Sequence, residues 1–201
     1  MRPVMEGLEE YRAQGKIKAI GVSNFSVEQM EQVSEVGQIN AHQFCYNLFW
    51  RYPERDVIPY CIEKNIAVVS YSSIAQGILT GKFGREVSFP QGDHRKTMVM
   101  FLPEVWPHVY EGVEELKAVS AEAQRPLLDL AIRWVARQAG MTTVLVGVRN
   151  TEQVRKNAAA MVGQIDERVF DRMTEISERV MAKIPDTGNI FRFYPGRAKP
   201  Y

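Results

Sequence analysis

The sequence predicts an α/β protein built on a parallel sheet, and two patterns carry this prediction. Short apolar runs alternate with longer segments of helical periodicity along the 201 residues. No two apolar runs are joined by the tight turn that an antiparallel hairpin requires. Such an alternation is typical of βα units, because parallel strands need a crossover connection that is usually a helix. We therefore predict one domain over residues 1–201, without linkers or internal repeats.

The first half of the chain opens with a helix that stops near Gly15. Three predicted strands follow: residues 18–22, 41–44 and 66–71. The helices between them cover residues 26–36 and 53–64, and the second has a proline in its first turn. The third strand is a continuous apolar run, which is typical of a strand that is buried on both faces.

The second half begins with residues 84–102, which are rich in glycine, proline and charge and predict a mobile loop. A fourth strand is predicted over residues 143–146. The helix after it has Thr151 as its expected cap, with Val154 and Ala158 facing inward. Helices are predicted over residues 104–124, 151–160 and 167–181, and another helix begins at residue 126. Residues 185–201 predict an irregular tail.

Composition restricts the class of protein further. The formal net charge is +1, with basic and acidic residues interleaved, so we expect neither nucleic acid nor a membrane surface as a partner. The sequence has no signal-peptide pattern and no apolar run long enough to span a bilayer. Cys45 and Cys61 lack metal-ligand spacing, so we expect reduced, buried thiols, a cytoplasmic location and no metal site.

Polar side chains follow each predicted strand, at the edge where parallel α/β proteins bind ligands. Asn24 and Gln43 each offer an amide donor and acceptor, as a carboxamide needs, and Tyr71 can stack on a flat ring. Lys82 can neutralise a pyrophosphate, and Arg149 at a helix N-terminus can hold a ribose phosphate. Together these residues predict a dinucleotide site, and the helical positions after Arg149 can reach its adenine.

Each of these residues also has a purely structural interpretation. Ser23 and Asn24 could cap the following helix, and Tyr71 could be a core aromatic residue. Gln153 and Asn157 could face solvent on a helix surface. We favour the ligand interpretation because four consecutive strand ends carry contacts for one and the same ligand.

Four segments resemble signatures of the aldo-keto reductase family: residues 21–25, Gln43 with Tyr46 and Asn47, residues 70–82, and residues 147–157. They occur in the family's order and approximate spacing, and the similarity extends over about residues 1–171. The resemblance implies strands five to eight of a (β/α)₈ barrel, that is, its second half. It also implies NADP(H)-dependent reduction of an aldehyde or ketone whose identity the sequence leaves open.

The resemblance further implies a role for each member of the site. Four residues would hold the nicotinamide: Ser23, Asn24 and Gln43 on the carboxamide and Tyr71 on the ring. Four would surround the pyrophosphate: Ser72, Ile74, Gly77 and Lys82. Four would bind the 2′-phosphorylated adenosine: Gly147, Arg149, Gln153 and Asn157. The expected preference for NADPH over NADH rests on Arg149 alone. Arg95 is a further adenine candidate, and Lys156 departs from the family because an ammonium cannot accept a hydrogen bond from adenine.

The family's reaction needs an Asp, a Tyr, a Lys and a His, which the resemblance places on the first four strands, before Met1. As substitutes we considered Tyr46, Asp56, Tyr60 and Lys64, which do not reproduce the motif order or the strand-end placement. His42 directly precedes Gln43 and so should point to the opposite face of its strand. We therefore assign no catalytic residue. Half of a barrel would expose two sheet edges, so we expect a homodimer or pairing with a separate first half. The alternatives are a non-catalytic nucleotide-binding or interaction module and an inactive truncated fragment.

Overall fold

A computed structural model describes residues 1–191 and shows one parallel sheet. Its four strands lie side by side in chain order, β1 to β4: Gly21–Ser23, Ala41–Cys45, Ala67–Tyr71 and Met141–Val144. Every neighbouring pair is parallel. The predicted α/β class with parallel strands is therefore confirmed, and the carboxyl ends of all the strands lie along one edge of the sheet.

Seven helices precede, connect or follow these strands within the described residues. They are α1 to α7: Arg2–Ala13, Val27–Ser34, Val57–Glu63, Trp106–Glu122, Leu127–Ala136, Thr151–Ala159 and Glu167–Met181. Four short 3₁₀ turns lie in the connections: Tyr52–Glu54, Ala75–Thr80, His94–Thr97 and Val99–Phe101. None of the helices in residues 1–191 combines the length and apolar character that crossing a bilayer requires.

Side-chain caps explain where the helices after β1 and β4 begin. Ser26 accepts a hydrogen bond from the Gln29 backbone N–H, and the Gln29 side chain accepts one from the Ser26 N–H, which is a capping box. At α6 the cap is Asn150, whose side chain accepts from the Gln153 N–H. The prediction of Thr151 as the cap was wrong by one residue. Asn150 has the extended backbone of a capping residue, whereas Thr151 is already helical.

The core lies between the sheet and the helices that cover it. Its largest fully buried side chains include Trp50, Trp134 and Phe49. Helices α4 and α7 pack closely beside Gly112, where an added Cβ would collide with Val180 Cγ2. Both cysteines are buried and unpaired, as the sequence predicted.

Burial along β3 alternates, which corrects the expectation of a strand buried on both faces. Val68 and Ser70 are fully buried, whereas Ala67, Val69 and Tyr71 on the other face are only half-buried. One face of the sheet is thus covered by helices, and the other stays partly open within residues 1–191. Alternation of this kind shows that a continuous apolar run does not by itself guarantee that both faces are covered.

The β4 edge also differs from the prediction. The strand covers Met141–Val144 rather than residues 143–146, and α6 has no fully buried residue. Val154 and Ala158, which were expected to face inward, are both exposed, Val154 by 50%. The physical reason is that α6 packs mainly against α5, so much of its apolar surface stays uncovered by the described residues.

The segment predicted as a mobile loop is in part packed into the core. Met98, Val99 and Met100 are fully buried, and the Val99 N–H donates to the Ile190 carbonyl over 2.8 Å. Residues 184–191 have no helix or strand and run against this segment. The remainder of the predicted irregular tail, residues 192–201, lies outside the described residues.

Candidate functional site

A cleft of about 610 Å³ opens at the carboxyl edge of the sheet, between the loop after β3 and the start of α6. Eight of the twelve predicted site residues line it: Ser72, Ile74, Gly77, Lys82, Gly147, Arg149, Gln153 and Asn157. These eight are the residues expected around a pyrophosphate and an adenosine. The fold therefore brings together two segments that are about 70 residues apart in the sequence.

The loop after β3 forms one wall of the cleft with an unusual backbone. Ser72, Ala75 and Gln76 have positive φ angles of 53°, 49° and 54° although none is a glycine, and Gly77 has a φ of 95°. Local bonds hold the turn: the Ala75 N–H donates to the Ser72 carbonyl over 2.7 Å, and the Gln76 amide donates to the Ser72 hydroxyl over 2.7 Å. A cluster of sparsely populated backbone conformations is typical of ligand sites, where backbone groups must be presented at fixed positions.

Three cations converge on the cleft. Arg95 is paired with Asp93, with 2.5 Å between the guanidinium and the carboxylate, and lies over the Phe89 ring at 4.7 Å. Lys82 and Arg149 form no ion pair with any of residues 1–191. Burial and the nearby Arg95 and Arg149 charges lower the pKa of Lys82 below its ordinary value. The cleft thus has an excess of positive charge that an anionic ligand would relieve.

The start of α6 forms the opposite wall. The Arg149 backbone N–H donates to the Gln153 side-chain carbonyl over 2.7 Å, so Gln153 stabilises the turn into the helix. An adenine contact from this residue would then come from its amide nitrogen. Gly147 has no heavy atom within 4 Å of an added Cβ, so the backbone there lies open to the cleft. A ligand can approach this stretch of main chain closely.

The four predicted nicotinamide residues lie outside this cleft lining and form a second group at the ends of β1 to β3. The Tyr71 hydroxyl donates to Asn24 Oδ1 over 2.9 Å, and Asn24 Nδ2 donates to the Ser23 hydroxyl over 3.2 Å. The Asn24 N–H donates to the Gln43 carbonyl over 2.9 Å. The structure therefore joins Ser23, Asn24, Gln43 and Tyr71 in one hydrogen-bonded group, which we call the amide group.

Several cleft residues were not singled out from the sequence. Gln76, Thr80 and Asp93 line the cleft together with the predicted set. The Asp93 carboxylate accepts from both the backbone and the guanidinium of Arg95, which holds its pKa well below the usual range. The sequence signal was the Asp-His-Arg spacing, which allows an acid to cap a turn and bind an arginine two residues later.

The residues considered as catalytic substitutes do not meet at the cleft. The Tyr46 hydroxyl donates to Glu54 over 2.5 Å, and Asp56 caps α3. Tyr60 and Lys64 lie at a separate shallow groove beside α2. His42 is fully buried, whereas its neighbour Gln43 is half-buried on the other face of β2, as the strand alternation predicted. Within residues 1–191 no group of three metal-ligating side chains is present.

A cationic, glycine-lined cleft at the strand ends of a parallel βα protein has features that suit a phosphorylated ligand. The sequence model described as "Aldo/keto reductase family" matches residues 1–178. The chain therefore belongs to the aldo/keto reductase family.

Two curated relatives and one solved structure illustrate the similarity. The NADH-specific methylglyoxal reductase of Escherichia coli is 30% identical over 175 residues, which are 86% of this chain and 53% of that protein. Aldo-keto reductase YhdN of Bacillus subtilis is 35% identical over 150 residues, 74% of this chain and 45% of that protein. The glycerol dehydrogenase AKR11B4 of Gluconobacter oxydans superposes with a TM-score of 0.80 at 29% identity, over 91% of this chain and 56% of that one. The chain spans about half the length of the curated relatives it matches.

Proposed function

We propose that this chain supplies the cofactor-binding half of an NADP(H)-dependent reductase that acts on aldehydes or ketones. The observation that carries the proposal is the joint placement of the cationic cleft and the amide group along one edge of the sheet. One end of this edge suits phosphates and the other suits a carboxamide. A nicotinamide dinucleotide has both features and would span the two.

The residues present fit such a cofactor part by part. Lys82 lies over Gly77, with Cε and Nζ both 3.2 Å from the position of an added Cβ, and would stand beside the pyrophosphate. Arg149 at the start of α6 would hold the 2′-phosphate with a bidentate, charge-assisted contact. Asn24 and Gln43 would orient the carboxamide beside Tyr71. When bound, the reduced cofactor supplies the hydride for carbonyl reduction.

NADP(H) is proposed over NAD(H) because of Arg149. The family includes both preferences: the E. coli relative is named NADH-specific, whereas Aldo-keto reductase yakc of Schizosaccharomyces pombe, 24% identical over 175 residues, is named with NADP(+). A guanidinium without a carboxylate partner in residues 1–191 favours the additional phosphate. The Asp93 pairing of Arg95 leaves Arg149 as the better placed of the two arginines.

The test is a titration of the purified chain with NADPH and with NADH, followed by tryptophan fluorescence. We expect Arg149→Ala to weaken NADPH binding by about tenfold to a hundredfold, because a hydrogen bond to a charged group contributes roughly 1.5–3 kcal/mol. NADH binding should change by less than about threefold. Arg155→Ala is the matched control, since Arg155 is exposed on the same helix and does not line the cleft. Equal losses of affinity for NADPH and NADH would contradict the assignment of the 2′-phosphate to Arg149.

We also propose that the sheet is completed by pairing, either with a second copy or with a separate first half-barrel. Apolar side chains are exposed on the segment before β1 and on the segment after β4. Val4 is 67% exposed on α1, and Val162 is 66% exposed just after α6. The Asp, Tyr, Lys and His of the family's reaction would lie on the other strands.

A non-catalytic nucleotide-binding module is the second candidate. The lining of the cleft favours this candidate, because none of the described residues that line the cleft is a tyrosine that could donate a proton. A carbonyl reduction assay distinguishes the two functions when a first half-barrel from a relative is co-expressed. NADPH oxidation dependent on an added aldehyde supports the reductase. Tight cofactor binding by the assembled pair without turnover supports the binding module.

A further inference from the structure

His42 is buried at the centre of the sheet and is not part of either group of site residues. It lies on β2, where it pairs with Val22 of β1 and Val68 of β3, and it is 0% exposed. A histidine in such a position needs partners for its ring nitrogens, because a buried polar atom without one is costly. Two partners are found in the structure, and one of them links the ring to the strand end that carries Asn24.

The first partner is the backbone immediately after Asn24. His42 Nε2 lies 3.1 Å from the Phe25 backbone nitrogen, whose N–H donates to it. Nε2 must therefore be unprotonated, and the neutral ring carries its proton on Nδ1. That nitrogen faces Cys61 Sγ of α3 at 3.8 Å. The Phe44 ring packs against the imidazole edge-on, with the ring centres 5.0 Å apart, and fixes its plane.

Asn24 needs this support because its own backbone is unfavourable. Its φ is 55°, in the left-handed region that few residues other than glycine adopt. Two successive N–H groups hold it there: that of Asn24 donates to the Gln43 carbonyl, and that of Phe25 donates to His42. Both acceptors belong to consecutive residues of β2. The Asn24 side chain then meets the Tyr71 hydroxyl at the end of β3.

We infer that His42 is a positioning residue, which orients the Asn24 carboxamide for the nicotinamide end of the cofactor. It acts through the Phe25 N–H and touches no ligand. This inference rests on the proposed cofactor function and adds a residue on the covered face of the sheet to it. The adenosine and pyrophosphate end is built on other elements and does not depend on His42.

The binding test separates the two ends of the site. Wild type, His42→Leu and His42→Gln are titrated with NADPH and with adenosine 2′,5′-bisphosphate, which lacks the nicotinamide. Leucine removes the acceptor, whereas the glutamine carbonyl can replace Nε2. We expect His42→Leu to weaken NADPH binding by about threefold to tenfold, as for loss of one hydrogen bond, and to leave the bisphosphate unchanged. His42→Gln should restore NADPH binding to within about twofold of wild type.

A second measurement does not depend on the ligand. Hydrogen exchange at the Phe25 amide should accelerate by about tenfold or more in His42→Leu relative to wild type, and stay slow in His42→Gln. The nitrogen NMR signals of the wild-type ring should show a neutral imidazole protonated at Nδ1. An equal loss of affinity for both ligands in His42→Leu would overturn the inference. An unchanged hydrogen-exchange rate at the Phe25 amide would do the same. Failure of the wild type to bind either ligand would instead overturn the proposed function, and with it the cofactor role of His42.

Discussion

At the scale of single residues, the candidate site depends on backbone conformations that side chains rarely favour. Asn24, Ser72, Ala75 and Gln76 are all left-handed although none is a glycine. Each costs of order 1–3 kcal/mol and persists only where its surroundings hold it in place. The hydrogen bonds of the loop after β3 and of the amide group provide those surroundings. Strain of this kind occurs where the chain places backbone groups for a ligand.

Gly77 offers the sharpest test of this loop. Gly77→Ala puts a side chain on a residue with a φ of 95° and 3.2 Å from Lys82 Cε and Nζ. We expect a loss of about 1–3 kcal/mol in the free energy of unfolding, measured by urea denaturation, together with weaker NADPH binding. Gly147→Ala is the control for stability, since its φ is not in the positive range and nothing lies within 4 Å of the added Cβ. Equal destabilisation by both changes would contradict the described loop.

His42 gives a pH dependence with a definite sign. Burial lowers its pKa from 6.5 to about 4, so between about pH 6.5 and pH 4 the unfolded chain binds a proton that the folded chain does not. This contribution to stability is complete above pH 6.5 and is lost as the pH falls towards 4, up to about 3 kcal/mol. Urea unfolding from pH 7 to pH 4 should therefore show a steeper loss for wild type than for His42→Gln. Parallel pH curves would show that His42 is not buried as described.

At the scale of elements, α6 differs most from what its sequence pattern predicted. Its apolar residues have helical spacing, yet the helix has no fully buried side chain. A groove of about 620 Å³ lies between α6, α5 and β4, lined largely by apolar residues. An open apolar groove beside a strand edge is a site where another chain can pack.

Val154→Glu tests whether this face is an interface. A charge there should weaken association of the chain by about tenfold or more, because burying an unpaired carboxylate is costly. Sedimentation velocity over a range of protein concentrations measures the change. Ala159→Glu adds the same charge at an exposed position of α6 that does not line the groove, so it should leave association unaltered. A similar effect of both variants would indicate a general charge effect rather than a specific face.

At the scale of the whole molecule, the four-stranded sheet ends in two open edges, β1 and β4. All the strands are parallel, and in larger parallel sheets such strands are covered on both faces or closed into barrels. Here one face stays partly open within the described residues. The architecture of residues 1–191 is consistent with part of the barrel found in the family.

Light scattering tests the pairing directly. We expect the purified chain at tens of micromolar to have at least twice the mass of one chain. Co-expression with the first half-barrel of a relative should replace this species by a one-to-one complex, because the same edges would pair with the complementary strands. A stable monomer that gains no partner on co-expression would contradict the pairing proposal.

The sequence by itself determined the fold class and the order of the site. Alternating apolar runs and helical periodicity suffice for parallel βα units, because only a crossover connection can join parallel strands. The polar residues after each strand were identifiable for the same reason: chain topology brings the carboxyl ends of parallel strands to one edge. Lys82, Arg149 and the helical positions after Arg149 could therefore be named before their distances were known, whereas Ile74 and Gly77 came from the resemblance to the aldo-keto reductase family.

Tertiary structure alone decided how those residues interact and what remains uncovered. Hydrogen bonds between Tyr71 and Asn24, or between Phe25 and His42, join residues on different strands, and strand spacing along the chain does not specify them. The exposure of Val154 depends on which neighbours α6 has, and an apolar periodicity gives the direction of a face without giving its partner. Local pattern fixes what an element can bury, whereas only the assembled fold determines what covers it.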